Sequence, residues 1–354
     1  MTHDEAVALS LLKDLPRVGL TERLRADDPV LLERAAPLLT LARDICRRAE
    51  ADGMLVLPWT EARYPASLLA IPDLPPALWC RGDVACLDTR RVAIVGSRAA
   101  PPATREIAAA IAEDLTAQGV TVVSGLARGI DSAAHRGALR AGRTIAVLGS
   151  GVDRVYPHEH AALAAEIAVA GLVLTEYPPG TPPLPFHFPM RNRIISGLSR
   201  AVVVIEAHEK SGSLITAACA LEQGREVMAV PGTVLGGRNR GGHALIRDGA
   251  TIVESAADIL DALGWSRQTD GTRPPHGADC EAGGDAGGRS CTERQPTTYS
   301  DPVLVRMIPG QAYDLDALAA VSGMEVTRLL PYMMDLELTG RVRRLDGGRF
   351  VRPA

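Results

Sequence analysis

Lysine is almost missing from this chain. Of its 38 Lys and Arg residues, only Lys13 and Lys210 are lysine, so arginine carries the positive charge. Arginine holds phosphate bidentately and never loses its charge, so a few well-placed guanidiniums suffice for a polyanion. Codon bias would give the same count and accounts for most of them. Aromatics make up 3%, which leaves Ala, Val, Leu and Ile to build the core. No apolar run approaches the ~20 residues needed to span a bilayer. The opening stretch, MTHDEAVALSLLKDLPR, carries acids and no signal-peptide core, so a cytoplasmic protein with no membrane partner is expected. The six cysteines (Cys46, Cys80, Cys86, Cys219, Cys280, Cys291) contain no Cys-x-x-Cys. No metal and no disulfide framework are expected, and the thiols read as reduced. Walker A, Gly-x-Ser-x-Gly and His-Glu-x-x-His motifs are also missing. Glu176 and Glu206 end predicted strands, but no second group pairs with either. No catalytic residue and no cofactor are assigned.

What is present is 354 residues with a net charge of −4. At roughly 100–200 residues per domain this means two or three domains. Any polyanion site must be a local basic patch on a mildly acidic body. Residues 1–57 read as a small helical domain. Its Pro16…Gly19 turn is similar to a helix-hairpin-helix, although a plain helical turn explains it as well. Residues 58–90 read as a connector, with five prolines by residue 82. From 91 to 265, short β-branched runs alternate with helical stretches. Strands are predicted at Val92–Val95, Val120–Ser124, Thr144–Leu148, Leu172–Thr175, Ala201–Ile205, Glu226–Val230 and Thr251–Val253. Helices are predicted at Ala103–Ala117, Ser132–Ala141, His160–Ala170, Leu214–Glu222 and Ala244–Asp248. The fold class is therefore α/β: a Rossmann-like, doubly wound, mostly parallel sheet whose ligands sit beyond the C-terminal strand ends.

Residues 266–300 are predicted to be a disordered linker, because 267–300 lack Val, Ile, Leu, Met, Phe and Trp. Residues 301–354 read as a winged helix. Helices are expected at Pro302–Met307, Asp314–Ala320 and Glu325–Leu338, followed by a hairpin turning at Asp346-Gly347-Gly348. The hairpin carries Arg341, Arg343, Arg344, Arg349 and Arg352, but the third helix is acidic. A duplex-DNA contact and a protein contact both stay open for it.

Several loops carry binding chemistry. Gly96-Ser97-Arg98 closes the first strand of the core; its amides, hydroxyl and guanidinium suit a phosphate. Gly125, Arg128 and Gly129 lie in SGLARGIDSAAH after the second strand. There Asp131 and His135 read as a structural pair that holds the loop. Gly149-Ser-Gly151 begins like a dinucleotide fingerprint, but Arg154 breaks it, and His158 follows on the same loop. Phe186-His-Phe188-Pro-Met-Arg191-Asn192-Arg193 holds two of the chain's three phenylalanines beside two arginines. Rings stack bases and guanidiniums hold the backbone in single-stranded nucleic acid. Lys210-Ser211-Gly212-Ser213 opens a helix as a second anion site. Two such sites on one sheet edge suit a polynucleotide better than a mononucleotide.

In order and at suitable spacing, VAIVGSR, SGLARGIDSAAH, GSGVDRVYP, TEYPPG, FHFPMRNRIISGLS, KSGSLITA and VPG resemble the DprA/Smf family of DNA-processing proteins over about residues 58–262. The resemblance implies a Rossmann-like core that binds single-stranded DNA during natural transformation, protects it and helps load a RecA-type recombinase, without catalysis. The partners it implies are single-stranded DNA, that recombinase, a single-strand-binding protein and a second copy of the chain. The dimer surface falls at Gly242–Val253, with Ile246 and Ile252 as apolar candidates. The binding pocket carries over onto Gly96, Ser97, Arg98, Phe188, Arg191, Asn192, Arg193 and Lys210–Ser213. Two departures stand out. His158 replaces a lysine common in the family, and Pro183-Leu184-Pro185 stands where many members are basic. Two other classes compete with this reading. One is a Rossmann-like nucleotide phosphoribohydrolase, whose Pro-Gly-Gly-x-Gly-Thr loop is broken here at Pro231-Gly-Thr. The other is a winged-helix protein that works through duplex DNA or as a scaffold.

Overall fold

A computed structural model describes residues 1–265 apart from 13 and 18, together with 312–313, 318–319, 329, 333, 336, 342–345 and 349–351. The chain divides into two units, Met1–Arg273 and Pro274–Ala354.

The first unit is a nine-stranded sheet. Its strands are β1 (Leu55–Pro58), β2 (Ala77–Gly82), β3 (Arg90–Val95), β4 (Val120–Ser124), β5 (Thr144–Val147), β6 (Leu172–Thr175), β7 (Ala201–Val204), β8 (Glu226–Ala229) and β9 (Thr251–Ile252). They lie in the order β1-β2-β6-β5-β4-β3-β7-β8-β9. All neighbours from β6 to β9 are parallel, whereas β2 pairs antiparallel with β6 and β1 with β2. The seven predicted strands are present within two residues of their expected ends. The expected connector at 58–90 is different: its segment Ala77–Gly82 is woven into the sheet as β2. Ala77–Cys80 are all fully buried, so the five prolines bracket a strand and do not mark a tether.

Parallel strands covered on both faces read as continuous apolar runs, because alternate residues serve opposite cores. In β3, Val92 and Ile94 join a cluster with Ile111, Leu115 and Ile130. Ala93 and Val95 join another with Leu163, Ile167 and Ile194. The covering helices are α6 (Pro102–Ala117), α7 (Ile130–Ala141), α8 (Ala161–Ala170), α9 (His187–Leu198), α10 (Gly212–Glu222), α11 (Arg240–Arg247) and α12 (Ala256–Ala262). Of these, α9 and α12 were not predicted. The N-terminal helices α1 (His3–Ser10), α2 (Leu20–Arg25), α3 (Pro29–Ala35) and α4 (Leu39–Ala51) bury Leu9, Leu20, Leu24 and Leu31 in the same cluster as β1 and β2. They share a core with the sheet.

Between the neighbouring strands β3 and β7 the strand order reverses. Open α/β sheets bind ligands at such a point, beyond the strand C-termini.

In the second unit, β11 (Arg343–Leu345) and β12 (Arg349–Val351) form the predicted hairpin, and β10 (Ala312–Tyr313) pairs with β12. Leu318, Leu329, Met333, Leu336, Val342 and Phe350 form its buried cluster. The spacing of Leu329, Met333 and Leu336 fits one helical face. The linker at 266–300 and the helix at Pro302–Met307 lie outside the described residues, as do most of the other two predicted helices and the rest of the hairpin.

Candidate nucleic-acid interface

A cleft of about 830 Å³ opens at the reversal point, lined by the loops after β3 and β7 and by one face of α9. Gly96, Ser97 and Arg98 form one wall. Lys210, Ser211, Gly212 and Ser213 form another, and Phe188, Arg191 and Asn192 come from α9. The sequence thus pointed to ten residues that the fold gathers into one cavity.

The chemistry of the first wall differs from expectation. The Ser97 amide donates to the Glu206 carbonyl (2.8 Å), and the Ser97 Oγ accepts from Ala99 (3.2 Å). The helix α6 begins only at Pro102, with Pro101 as its N-cap, and neither proline carries an amide hydrogen. No helix-terminal cradle forms at 96–98, and the wall's cationic chemistry rests on the Arg98 guanidinium. Gly96 is required by space, since a Cβ there would lie 2.7 Å from Ile130 and 3.0 Å from the Glu206 carbonyl. The second wall opens a helix, as the sequence predicts: Ser211 is the N-cap of α10 and accepts from the Ser213 amide (3.3 Å). Its hydroxyl also lies 2.7 Å from that of Ser213. Asn192 ties α9 to this wall by donating to the Gly212 carbonyl (3.2 Å).

Rings line the floor. The Arg98 guanidinium lies 5.8 Å from the centre of the Phe188 ring. Tyr156 also packs against Phe188, with centroids 5.4 Å apart and the rings tilted by 48°. Tyr156 was not singled out, although the Tyr-Pro that carries it was. Ile215 and Thr216 were missed in the same way, inside KSGSLITA. A smaller recess continues from Phe188 and Tyr156 to Gly125 and Arg128. Arg128 is exposed there and paired with Glu159. His158 lines neither space; it stands behind Tyr156, with ring centroids 6.3 Å apart.

The two arginines of α9 are used by the fold. Arg191 is buried and donates to the Gly125 and Val147 carbonyls, with Asp131 at 4.0 Å. Burial lowers its pKa to about 10, against the opposing pull of Asp131. Arg193 corrects the expectation outright. It points away from the cleft and is buried between Asp73 (2.7 Å) and Glu176 (2.6 Å). Glu176 also receives Arg17 from the N-terminal region (3.2 Å). Burial alone would raise the pKa of Glu176, but Arg193 and then Arg17 hold it below the ordinary range.

Asp131 and His135 are structural, as expected, but they are not partners of each other. Asp131 accepts from the amides of Gly125 (3.2 Å) and Ala127 (3.4 Å). His135 Nδ1 meets the Thr144 hydroxyl at 2.8 Å. No cluster of metal-ligating side chains occurs among the described residues, and no described helix is long and apolar enough to cross a membrane.

Comparison with known proteins adds the following. Residues 55–264 match the family model of DNA recombination-mediator protein A, and residues 294–348 match that of the DprA winged helix domain. Protein Smf of Escherichia coli is 38% identical over 318 residues, covering 89% of this chain and 82% of that protein. The DNA processing protein DprA of Streptococcus pneumoniae is 47% identical over 198 residues, covering 56% and 70%. The crystal structure of the Streptococcus pneumoniae protein superposes with a TM-score of 0.64 at 35% identity, covering 73% of this chain and 98% of that one. A structure of the Helicobacter pylori DNA processing protein A, solved to describe its single-stranded DNA binding mode, gives a TM-score of 0.54 at 30% identity, covering 59% and 95%.

Proposed function

The chain belongs to the DNA recombination-mediator protein A (DprA/Smf) family, and from that premise we propose that it binds and protects single-stranded DNA in the reversal-point cleft and loads a RecA-type recombinase onto it, without catalysis. One observation carries this reading: Arg98 lies over Phe188, facing the Lys210–Ser213 helix terminus across one cleft. A ring that stacks a base, flanked by a guanidinium and an ammonium that take phosphates, is the combination a single strand requires. A duplex hides its base faces and would leave Phe188 unused.

The acid in the cleft supports a binding role over a catalytic one. Asp131 is occupied by loop amides, and burial raises its pKa against the pull of Arg191. Self-association through the far end of the sheet is part of the same proposal. The strand β9 is the outermost on its side, and Ile252 on it is 53% exposed, while Ile246 on α11 is half-buried. A single-strand-binding protein is a further partner under this reading, and duplex DNA is another through the arginine-rich sequence of the tail.

The test is fluorescence anisotropy with a labelled oligo-dT of ~30 nucleotides and a matched duplex across a salt series, on wild type and Arg98→Ala. Tight, salt-dependent preference for the single strand that is lost in Arg98→Ala is the expected result. Equal duplex binding indifferent to Arg98 would sink the assignment. Adenine release from AMP would instead favour a phosphoribohydrolase. A chain ending at Arg273 keeps single-strand binding if the cleft carries it, and loses it if the tail does.

A further inference from the structure

Strands β3, β7 and β8 are consecutive neighbours in the sheet, all parallel, so the loops that leave their C-terminal ends stand side by side at roughly 4.8 Å intervals. The first two of these loops line the cleft. The third, from Pro231 to Asn239, is the next along the same edge.

We propose that this loop and the start of α11 carry the strand path beyond the cleft. Arg238 and Arg240 hold backbone phosphates, and Val234 and Leu235 lie against the next bases. This rests on the reading that the cleft binds single-stranded DNA.

The loop touches the cleft directly, because Arg238 Nη1 donates to the carbonyl of Ala99 (3.5 Å), a residue of the cleft wall next to Arg98. Its base is pinned. Asn239 is buried, accepts from the Ala207 amide (3.0 Å) and donates to the Val230 carbonyl (3.2 Å). His243 Nε2 meets the Gly232 carbonyl at 3.1 Å. The tip turns through Gly236 and Gly237, both left-handed at φ 69° and 67°. On this fixed support Val234 and Leu235 are 77% and 78% exposed, side by side. Arg240 has one acid nearby, Glu209 at 3.6 Å, and both side chains are well exposed. An exposed pair of that kind is weak and yields readily to a phosphate. A second copy docking here about a two-fold axis would bring like guanidiniums together, whereas a polyanion neutralises them.

The experiment measures anisotropy of the full chain with oligo-dT of ~6 and ~30 nucleotides across a salt series. The chains compared are wild type, Arg98→Ala, the double variant Arg238→Ala/Arg240→Ala and the double variant Val234→Ser/Leu235→Ser. The arginine variant is expected to bind the long oligonucleotide about 10-fold more weakly, with a salt slope shallower by about 1.4, as two lost single-strand phosphate contacts require. The short oligonucleotide, held in the cleft, is unaffected. The serine variant weakens the long oligonucleotide and keeps the wild-type slope. Wild-type affinities and slopes in both variants overturn the proposal. So does a variant that changes only the mass seen by light scattering, which assigns the loop to a second copy. Failure of wild type itself to bind either oligonucleotide overturns the parent reading, a result distinct from either of these.

Discussion

The guanidinium of Arg191 fills the space that a side chain on Gly125 would need: a Cβ there would lie 2.1 Å from Nη2. The glycine that follows β4 and the arginine on α9 are therefore one fitting. Arg191 bonds the carbonyls at the ends of two strands, Gly125 after β4 and Val147 in β5. It holds open the loops that frame the cleft. Gly125→Ala is expected to destabilise the protein by about 1–3 kcal/mol, the usual cost of overpacking a core. It should also weaken single-strand binding by displacing α9. Thermal unfolding and anisotropy on the same sample check both. A variant with the wild-type Tm and affinity would show that the loop yields without moving Arg191.

Arg193 makes the opposite case from a similar-looking residue. Removing one partner of a buried ion pair leaves an uncompensated charge, and costs about 3–5 kcal/mol. Arg193→Ala takes the ion-pair partner from Asp73 and leaves Glu176 with Arg17 alone, so a stability loss towards the lower end of that range is expected in denaturant titration. If Arg193 held a phosphate instead, the variant would lose salt dependence in DNA binding. The salt slope of the folded fraction should match wild type, and a reduced slope would return Arg193 to the cleft.

These two residues show how far the sequence could be read. Alternation of β-branched runs with helical stretches located seven strands, because every parallel strand except the exposed edge strand β9 is buried on both faces and announces itself. The strand β2 escaped because its neighbours are prolines, and proline density reads as a linker when the pairing partner, β6, lies ninety residues away. The site loops were legible because glycine, arginine and hydroxyl residues clustered at strand ends. Their division of labour was not. Arg191 and Arg193 lie two apart, which on a helix turns them to different sides. The residues were read as a loop, and both were given the same role. The helix at α9 was hidden because Pro189 sits in its first turn, where a missing amide costs nothing.

A buried histidine contributes to the acid sensitivity of the core. Thr144 donates its hydroxyl to the Val122 carbonyl, so it accepts from His135 Nδ1, and that nitrogen carries the proton. Nε2 is buried without a partner. Burial lowers the pKa of His135 to about 3. The unfolded chain, with an ordinary histidine near 6.5, binds this proton first as pH falls. Stability is therefore fully present above about pH 6.5 and declines towards pH 3, by at most about 1.4 kcal/mol per pH unit from this group. Denaturant midpoints at pH 7, 6 and 5 check the slope. His135→Leu should lower stability at pH 7 yet flatten its pH dependence, and an unchanged slope would assign the acid loss to other groups.

Phe188 and His158 belong to one train of rings, Phe188–Tyr156–His158, but only the first two line the cleft. A base stacking on an aromatic side chain contributes about 1–3 kcal/mol. Phe188→Ala should therefore weaken oligo-dT binding roughly 5- to 150-fold. It should leave the salt slope unchanged, because no phosphate contact is lost. His158→Ala removes a ring that stands behind Tyr156, and its effect on affinity should be several-fold smaller. The ordering is what matters, since a histidine acting as the missing family lysine would reverse it. It would also make the His158 variant the one that loses salt dependence. Anisotropy on the two variants at two salt concentrations therefore decides whether the strand is held at this end of the cleft by stacking or by charge.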